Sequence, residues 1–142
     1  RPRAALLIAD RKGFVLLFYH VLTTSAPDKT CCVILGGKIE PGETPAQGAA
    51  REHREEGGIA IPYHFITHRA QVGDTTYFVW SCESLHDNGE LLAALFEGRR
   101  EEDREVVVRM RIVHVRDLPA SSDVPNHEFR HGDWEFLTQH FR

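Results

Sequence analysis

The sequence predicts an α/β or α+β domain in which helices cover a mixed sheet. Three observations carry that prediction. Strand-like apolar runs dominate the first 35 residues, a helix with its own start and stop signals follows, and further strand-like runs precede a helical C-terminus.

The elements are read in order. AALLIA (4–9), FVLLFYHV (14–21) and CCVIL (31–35) are rich in β-branched, aromatic and aliphatic residues and are expected as strands. The polar connection TTSAPDKT, around Pro27, suits an exposed loop. Thr44 is a good N-cap, Pro45 fits the first helical position, and Gln47 completes a Thr-x-x-Gln capping box. Gly57 and Gly58 supply the stop, so a helix is expected from about Pro45 to Glu56. A strand around Tyr63–Gln71 and a second at Thr75–Cys82 flank a VGD turn. The segment from His86 to Arg104 reads as a charged loop with a short helix at LLAALF. VVVRMRIVHV (106–115) is strand-like. In GDWEFLTQHF, Trp134, Leu137 and Phe141 recur at helical spacing. Periodicity does not give the strand order.

Length and composition narrow the function classes. A chain of 142 residues without repeat or low-complexity linker is expected to form one domain across residues 1–142. A formal charge of −4 argues against a nucleic-acid binder that depends on net positive charge, so no nucleic-acid partner is expected. No apolar run approaches the roughly 18–20 residues needed to span a bilayer, and no membrane association is expected. The opening RPRAALLIAD is too short to read as a secretory signal. Cys31, Cys32 and Cys82 form neither a disulfide framework nor a zinc spacing, so a reducing cytoplasm is the expected compartment and core packing their expected role.

The chemistry concentrates between residues 36 and 59, GGKIEPGETPAQGAAREHREEGGI. Spacings of three and four place Glu52, Glu55 and Glu56 within an arc of about 100° on one helix side. Like charges so placed cost roughly 0.2–0.5 kcal/mol per pair on an exposed helix. A solvated acidic face is one reading. The other is a set of hard oxygen ligands for Mg²⁺ or Mn²⁺, which would turn the repulsion into attraction. Arg51 and Glu43 are placed to orient those carboxylates. Ahead of the helix, a glycine-rich turn containing Gly36, Gly37 and Lys38 can bring backbone N–H groups close to a ligand. His53 falls on the neighbouring arc with Ala46, Ala49 and Ala50, and reads as a packing residue.

This stretch resembles the Nudix box, G-x5-E-x7-R-E-U-x-E-E-x-G-U, where U is a bulky aliphatic residue. Gly37, Glu43, Arg51, Glu52, Glu55, Glu56, Gly58 and Ile59 match at the required spacing, and only His53 departs. The resemblance implies an α/β/α sandwich with a mixed sheet and the box as loop–helix–loop. Outside the box it is one of pattern: Ile112-Val113 and Asp117-Leu118 stand where the family often has Trp-Val and Glu-Leu.

By that resemblance, the chain is expected to cleave a diphosphate (pyrophosphate) linkage in a nucleotide or nucleoside diphosphate derivative, with Mg²⁺ or Mn²⁺. Glu52, Glu55 and Glu56 would ligate metal, joined by the Gly37 carbonyl. Arg51 and Glu43 would orient them, and Lys38 would reach phosphate. The general base would be Glu55 or Glu56, or an acid of a later loop, where Glu101, Glu102, Asp103 and Glu105 lie. Arg99 and Arg100 read as members of surface ion pairs rather than phosphate contacts.

Tyr77 stands where dinucleoside-polyphosphate hydrolases of the family often carry a tyrosine, although a strand tyrosine is more often a core residue. Phe18, Phe78 and Trp80 read as core. The remaining histidines, His127 among them, show no ligand spacing. Many family members are dimers, which leaves a homodimer open. Two other classes compete. A catalytically silent regulatory domain would usually have lost a metal-ligating glutamate, and an isoprenoid-diphosphate isomerase would need cysteine and glutamate motifs that are not apparent.

Overall fold

The computed structural model describes residues 1–23, 25, 26, 28–121 and 128–141. Pro27 and His127 lie outside the described residues. Two central strands, β1 (Arg3–Asp10) and β2 (Phe14–Val21), are buried along almost their whole length. Strands with both faces covered need continuous rather than alternating apolar sequence, and AALLIA and FVLLFYHV have it. Odd-numbered Ala5, Leu7 and Ala9 enter one core layer. Even-numbered Ala4, Leu6 and Ile8 enter the other side.

The remaining strands assemble on these two. β1 runs parallel to β6 (Thr75–Cys82) from Arg3 opposite Thr75 to Asp10 opposite Cys82, and β5 (Thr67–Val72) lies antiparallel on β6. The other edge of β1 is divided. Ile8 and Ala9 face β2, while Arg3–Ala5 face a short strand β4 (Gly36–Lys38). β2 pairs β3 (Thr30–Val33) and β7 (Val107–His114), both antiparallel. The order is β3-β2-β1-β6-β5, with β4 on β1 and β7 on β2, a mixed sheet.

Helices cover both faces. Ala49 of α1 (Pro45–Gly57) packs on Ala4, Leu6 and Phe78, and Leu92 and Phe96 of α2 (Gly89–Glu97) pack near Ile8, Leu16 and Phe18. On the opposite face Phe136 and Leu137, fully buried, follow α4 (His131–Glu135). This α/β/α layering agrees with the expected fold class.

The expected α1 boundaries hold, extended to Gly57. The Thr44 hydroxyl accepts from the Gln47 N–H at 3.2 Å, and the Gln47 side chain accepts from the Thr44 N–H at 2.8 Å. Gly58 closes the helix at φ 75°, its N–H donating to the Arg54 carbonyl.

Four boundaries differ from the sequence reading. CCVIL does not remain one strand: the Ile34 N–H goes to Asp133 Oδ2 at 3.0 Å and the Leu35 carbonyl accepts from the Leu6 N–H at 3.1 Å. Those two residues carry the chain from the edge of β2 to the edge of β1, where Gly36–Lys38 pairs as β4 instead of remaining a free turn. The strand expected from Tyr63 begins at Thr67, because Tyr63–Phe65 forms a tight turn after Pro62. The charged segment holds two helices, α2 and α3 (Glu101–Val106), divided at Gly98–Arg100. After α4, Phe136–His140 widens to a π-type turn with the Phe141 N–H bonded to the Phe136 carbonyl.

Cys31 and Cys32 are buried and Cys82 is half-buried, all as free thiols in the core layers. Among the described residues, no helix is long and apolar enough to cross a membrane.

Candidate active site

Groups from β4, the Gly42 turn and α1 converge on the Arg51 guanidinium. Its Nε donates to Glu43 Oε2 at 2.7 Å, and Nη2 donates to Glu43 Oε1 and to the Lys38 carbonyl, both at 3.1 Å. Nη1 faces Glu52 Oε1 at 2.9 Å and Glu55 Oε2 at 3.4 Å, with Glu40 at 3.6 Å. The forked, two-point geometry to Glu43 is one that lysine does not supply. The hydrogen bond from Arg51 holds the Glu43 carboxyl below the usual carboxylate range, and the same pairing raises Arg51.

Glycine at 37 lets the carboxylate approach the backbone. A Cβ there would meet the Glu52 carboxyl carbon and Oε1 at 2.6 Å. Burial, then the facing Glu52 carboxylate, push Glu56 up to about 9. Asp103 adds to that repulsion and the Arg130 guanidinium opposes it. A carboxyl that keeps its proton because it is buried beside another carboxylate is a place where a cation can replace that proton.

The donor chemistry fits a hard divalent cation, three carboxylates being the oxygen ligands such an ion takes. Their arrangement is only partly that of a ligand shell: Arg51 engages Glu52 and Glu55 directly. Among the described residues no three His, Cys, Asp or Glu side chains are gathered as a metal site.

The remaining candidates sort by position. Lys38 is exposed at the end of β4, with its carbonyl tied to Arg51. Of the four later acids, Glu101, Glu102 and Glu105 are exposed, whereas Asp103 is half-buried and bonded to Arg100 Nε at 2.9 Å. Arg100 is an exposed ion-pair partner, as expected. Arg99 is not. It is 8% exposed, lies over the Phe96 ring, and donates to the carbonyls of Phe96, Glu56 and Val107 at 2.6, 2.9 and 2.7 Å. It ties the last turn of α1 to β7, because the helix end leaves carbonyls that need donors.

His53 is fully buried, edge-on to Phe18 with ring centroids 5.4 Å apart. This is the packing role expected of it. Neither ring nitrogen meets a hydrogen-bond partner, and burial pushes its pKa down to about 4.

Tyr77 is a core residue, 2% exposed and stacked on Phe136 with centroids 4.3 Å apart; its hydroxyl donates to Asp133 Oδ1 at 2.5 Å. Sequence reasoning passes over Asp133 and Arg130. A signal exists for Asp133: it lies three and four residues before Phe136 and Leu137, so a carboxylate sits on the apolar face of that segment. Arg130 has no such pattern; the pairing of its N–H with the Cys32 carbonyl at 3.1 Å brings it to the site.

No curated protein matches the chain by sequence. A MutT/nudix family protein from Enterococcus faecalis has 17% identity and a TM-score of 0.43, over 58% of this chain and 37% of that one. This chain thus spans little more than a third of that protein's length. DR0079 from Deinococcus radiodurans has 13% identity and a TM-score of 0.62, over 99% of this chain and 82% of that one. A Caenorhabditis elegans Ap4A hydrolase has 16% identity and a TM-score of 0.53, over 81% of each chain. The last two share the fold with this protein. The model of the NUDIX domain matches residues 1–139, and the chain belongs to the Nudix family, whose members are generally hydrolases of phosphorus anhydrides.

Proposed function

We propose that this protein is a metal-dependent hydrolase of a diphosphate linkage in a nucleotide or nucleoside diphosphate derivative. The observation that carries the reading is the Arg51 hub: one guanidinium joins Glu43 to Glu52 and Glu55. A merely solvated acidic helix face has no need of such an arrangement.

In this reading Glu52, Glu55 and Glu56, with the Gly37 carbonyl, would hold Mg²⁺ or Mn²⁺. Bound there, such a cation would screen the diphosphate, polarise a phosphoryl oxygen and lower the pKa of a water. The chain's own residues supply position. Arg51 sets the rotamers of Glu52 and Glu55 while Glu43 fixes Arg51. Arg99 anchors the carbonyl end of the helix that carries all three glutamates. Lys38 is available to a phosphate oxygen. Glu55 and Glu56 are the leading acceptors for the proton of the attacking water, with Asp103, the half-buried member of the later acids, as the alternative. Phosphoryl transfer asks the protein chiefly for such placement and for charge stabilisation.

The test is a phosphate-release screen over nucleoside diphosphate derivatives, nucleoside triphosphates and dinucleoside polyphosphates with Mg²⁺ or Mn²⁺. Metal-dependent turnover is expected, with Glu52→Gln and Glu56→Gln each losing on the order of 10²-fold or more. Turnover that survives both changes would overturn the site. Metal binding without turnover on any substrate would instead favour the silent regulatory domain.

A further inference from the structure

A cavity of about 400 Å³ is lined by Gly36 and Gly37 with residues of β1, β6 and the C-terminal segment, and none of the three helix glutamates lines it. Its size lies within the range of roughly 300–1,000 Å³ typical of small-molecule sites. Gly37 belongs to both places: Glu52 packs against its Cα, and its backbone lines the cavity.

The lining charges are not equivalent. Asp133 is 2% exposed and already accepts from the Tyr77 hydroxyl and the Ile34 N–H. Glu135 faces His131 at 3.8 Å, and Asp74 lies on an exposed turn at the rim. Arg130 is different. Its side chain is 40% exposed, and its ion pair with Asp133 stretches to 3.9 Å. That carboxylate is committed elsewhere, so the guanidinium retains donors to offer. Its backbone is fixed by the bond to Cys32, which keeps the side chain at the cavity wall. Arg3, at the start of β1, lines the same cavity. Arginine presents a planar fork that matches phosphate oxygens, and Arg130 and Arg3 offer two such forks to a cavity whose carboxylates Asp74, Asp133 and Glu135 already face partners.

We propose that Arg130, with Arg3, forms an anion subsite that grips the phosphate of the substrate on the cavity side of Gly37. This rests on the hydrolase reading for the identity of the ligand, an organic diphosphate. It adds binding residues from the first strand and the C-terminal segment, outside the box.

The probe is α,β-methylene-ADP, which resists hydrolysis, titrated into the full chain by calorimetry with Mg²⁺ and separately with EDTA. Binding is expected in both conditions. Arg130→Ala should weaken it about tenfold or more in each, and Arg130→Lys should recover part of that loss. Arg3→Ala should weaken binding less. Glu52→Gln should weaken binding with Mg²⁺. In the phosphate-release assay Arg130→Ala should raise KM more than it lowers kcat. Should Arg130→Ala melt early, Arg130→Gln, closer in shape, serves the same comparison. Affinity and KM unchanged in both neutral variants would overturn the proposal even if the enzyme turns over. Absence of EDTA binding in the unaltered chain would overturn it as well. Arg130-dependent binding without turnover on any substrate would uphold the subsite while the hydrolase reading fails.

Discussion

Arg51 grips Glu43 at two points, Nε to Oε2 at 2.7 Å and Nη2 to Oε1 at 3.1 Å, across eight residues of sequence. Both side chains are less than a fifth exposed. Arg51→Lys keeps the charge but loses the fork, which should cost about 1–3 kcal/mol of stability. Glu43→Gln should cost a similar amount, and the double variant less than the sum, since each single change removes the same interaction. Urea unfolding of the four proteins checks this; simple additivity would show that the pair is not coupled.

Adjacent glycines should fail in different ways. A Cβ on Gly36 meets the Ala4 carbonyl oxygen at 2.5 Å and the Ala5 Cα at 2.8 Å, both backbone atoms that cannot yield. The three atoms nearest a Cβ on Gly37 all belong to the Glu52 carboxylate, the far end of a flexible side chain. Gly36→Ala should therefore lower the melting temperature by several degrees. Gly37→Ala should melt close to the unaltered protein yet lose most of its hydrolysis, because Glu52 is the group displaced. Thermal melts beside activity assays distinguish the two.

His53 occupies the one box position where an aliphatic side chain is expected, buried with no partner for either nitrogen. Its pKa of about 4 lies below the ordinary 6.5, so on acidification the unfolded chain takes up the proton first. Stability should fall as pH drops from about 6.5 toward 4, by at most about 1.4 kcal/mol for each pH unit crossed. His53→Leu should remove that dependence, preserve hydrolysis, and raise stability at neutral pH by about 1 kcal/mol or more. A destabilised variant would mean that the imidazole has a partner after all.

Glu56 gives the opposite slope. Burial and Glu52 raise its pKa from 4.5 to about 9, so between those values the folded metal-free protein holds a proton that the unfolded chain has released. This contribution is fully present below about 4.5 and is lost as pH rises toward 9. Glu56→Gln should therefore raise the melting temperature of metal-free protein most at about pH 8–9 and least near pH 4. Mg²⁺ added at about pH 7–8 in weak buffer should release protons from the unaltered protein, and fewer from the variant. Equal release from both would assign the proton elsewhere.

Local chemistry explains what was legible in the sequence. The α1 boundaries follow from Thr44, Gln47 and Gly58, residues that act on their own turn of backbone. β1 and β2 follow from uninterrupted apolar runs. The illegible parts depend on partners distant in the chain. The end of β3 is set by Asp133, 99 residues away from Ile34, and β4 exists because Arg3–Ala5 offers it an edge. Arg99 reads in sequence as a surface charge beside acids. Three carbonyls from separate segments bury it instead.

By itself, the sequence determined the family, the α/β layering and the set of carboxylates on one side of α1, because spacing along a helix converts directly into direction. Tertiary structure decided how those groups are held. Arg51 closes on Glu43, Glu52 and Glu55 together, Glu56 is left needing a proton or a cation, and Asp103 is the half-buried member of the later acids, paired with Arg100. It also brought Arg130 and Gly37 to the walls of one cavity, since distance in space between segments depends on the pairing of strands, which periodicity does not encode.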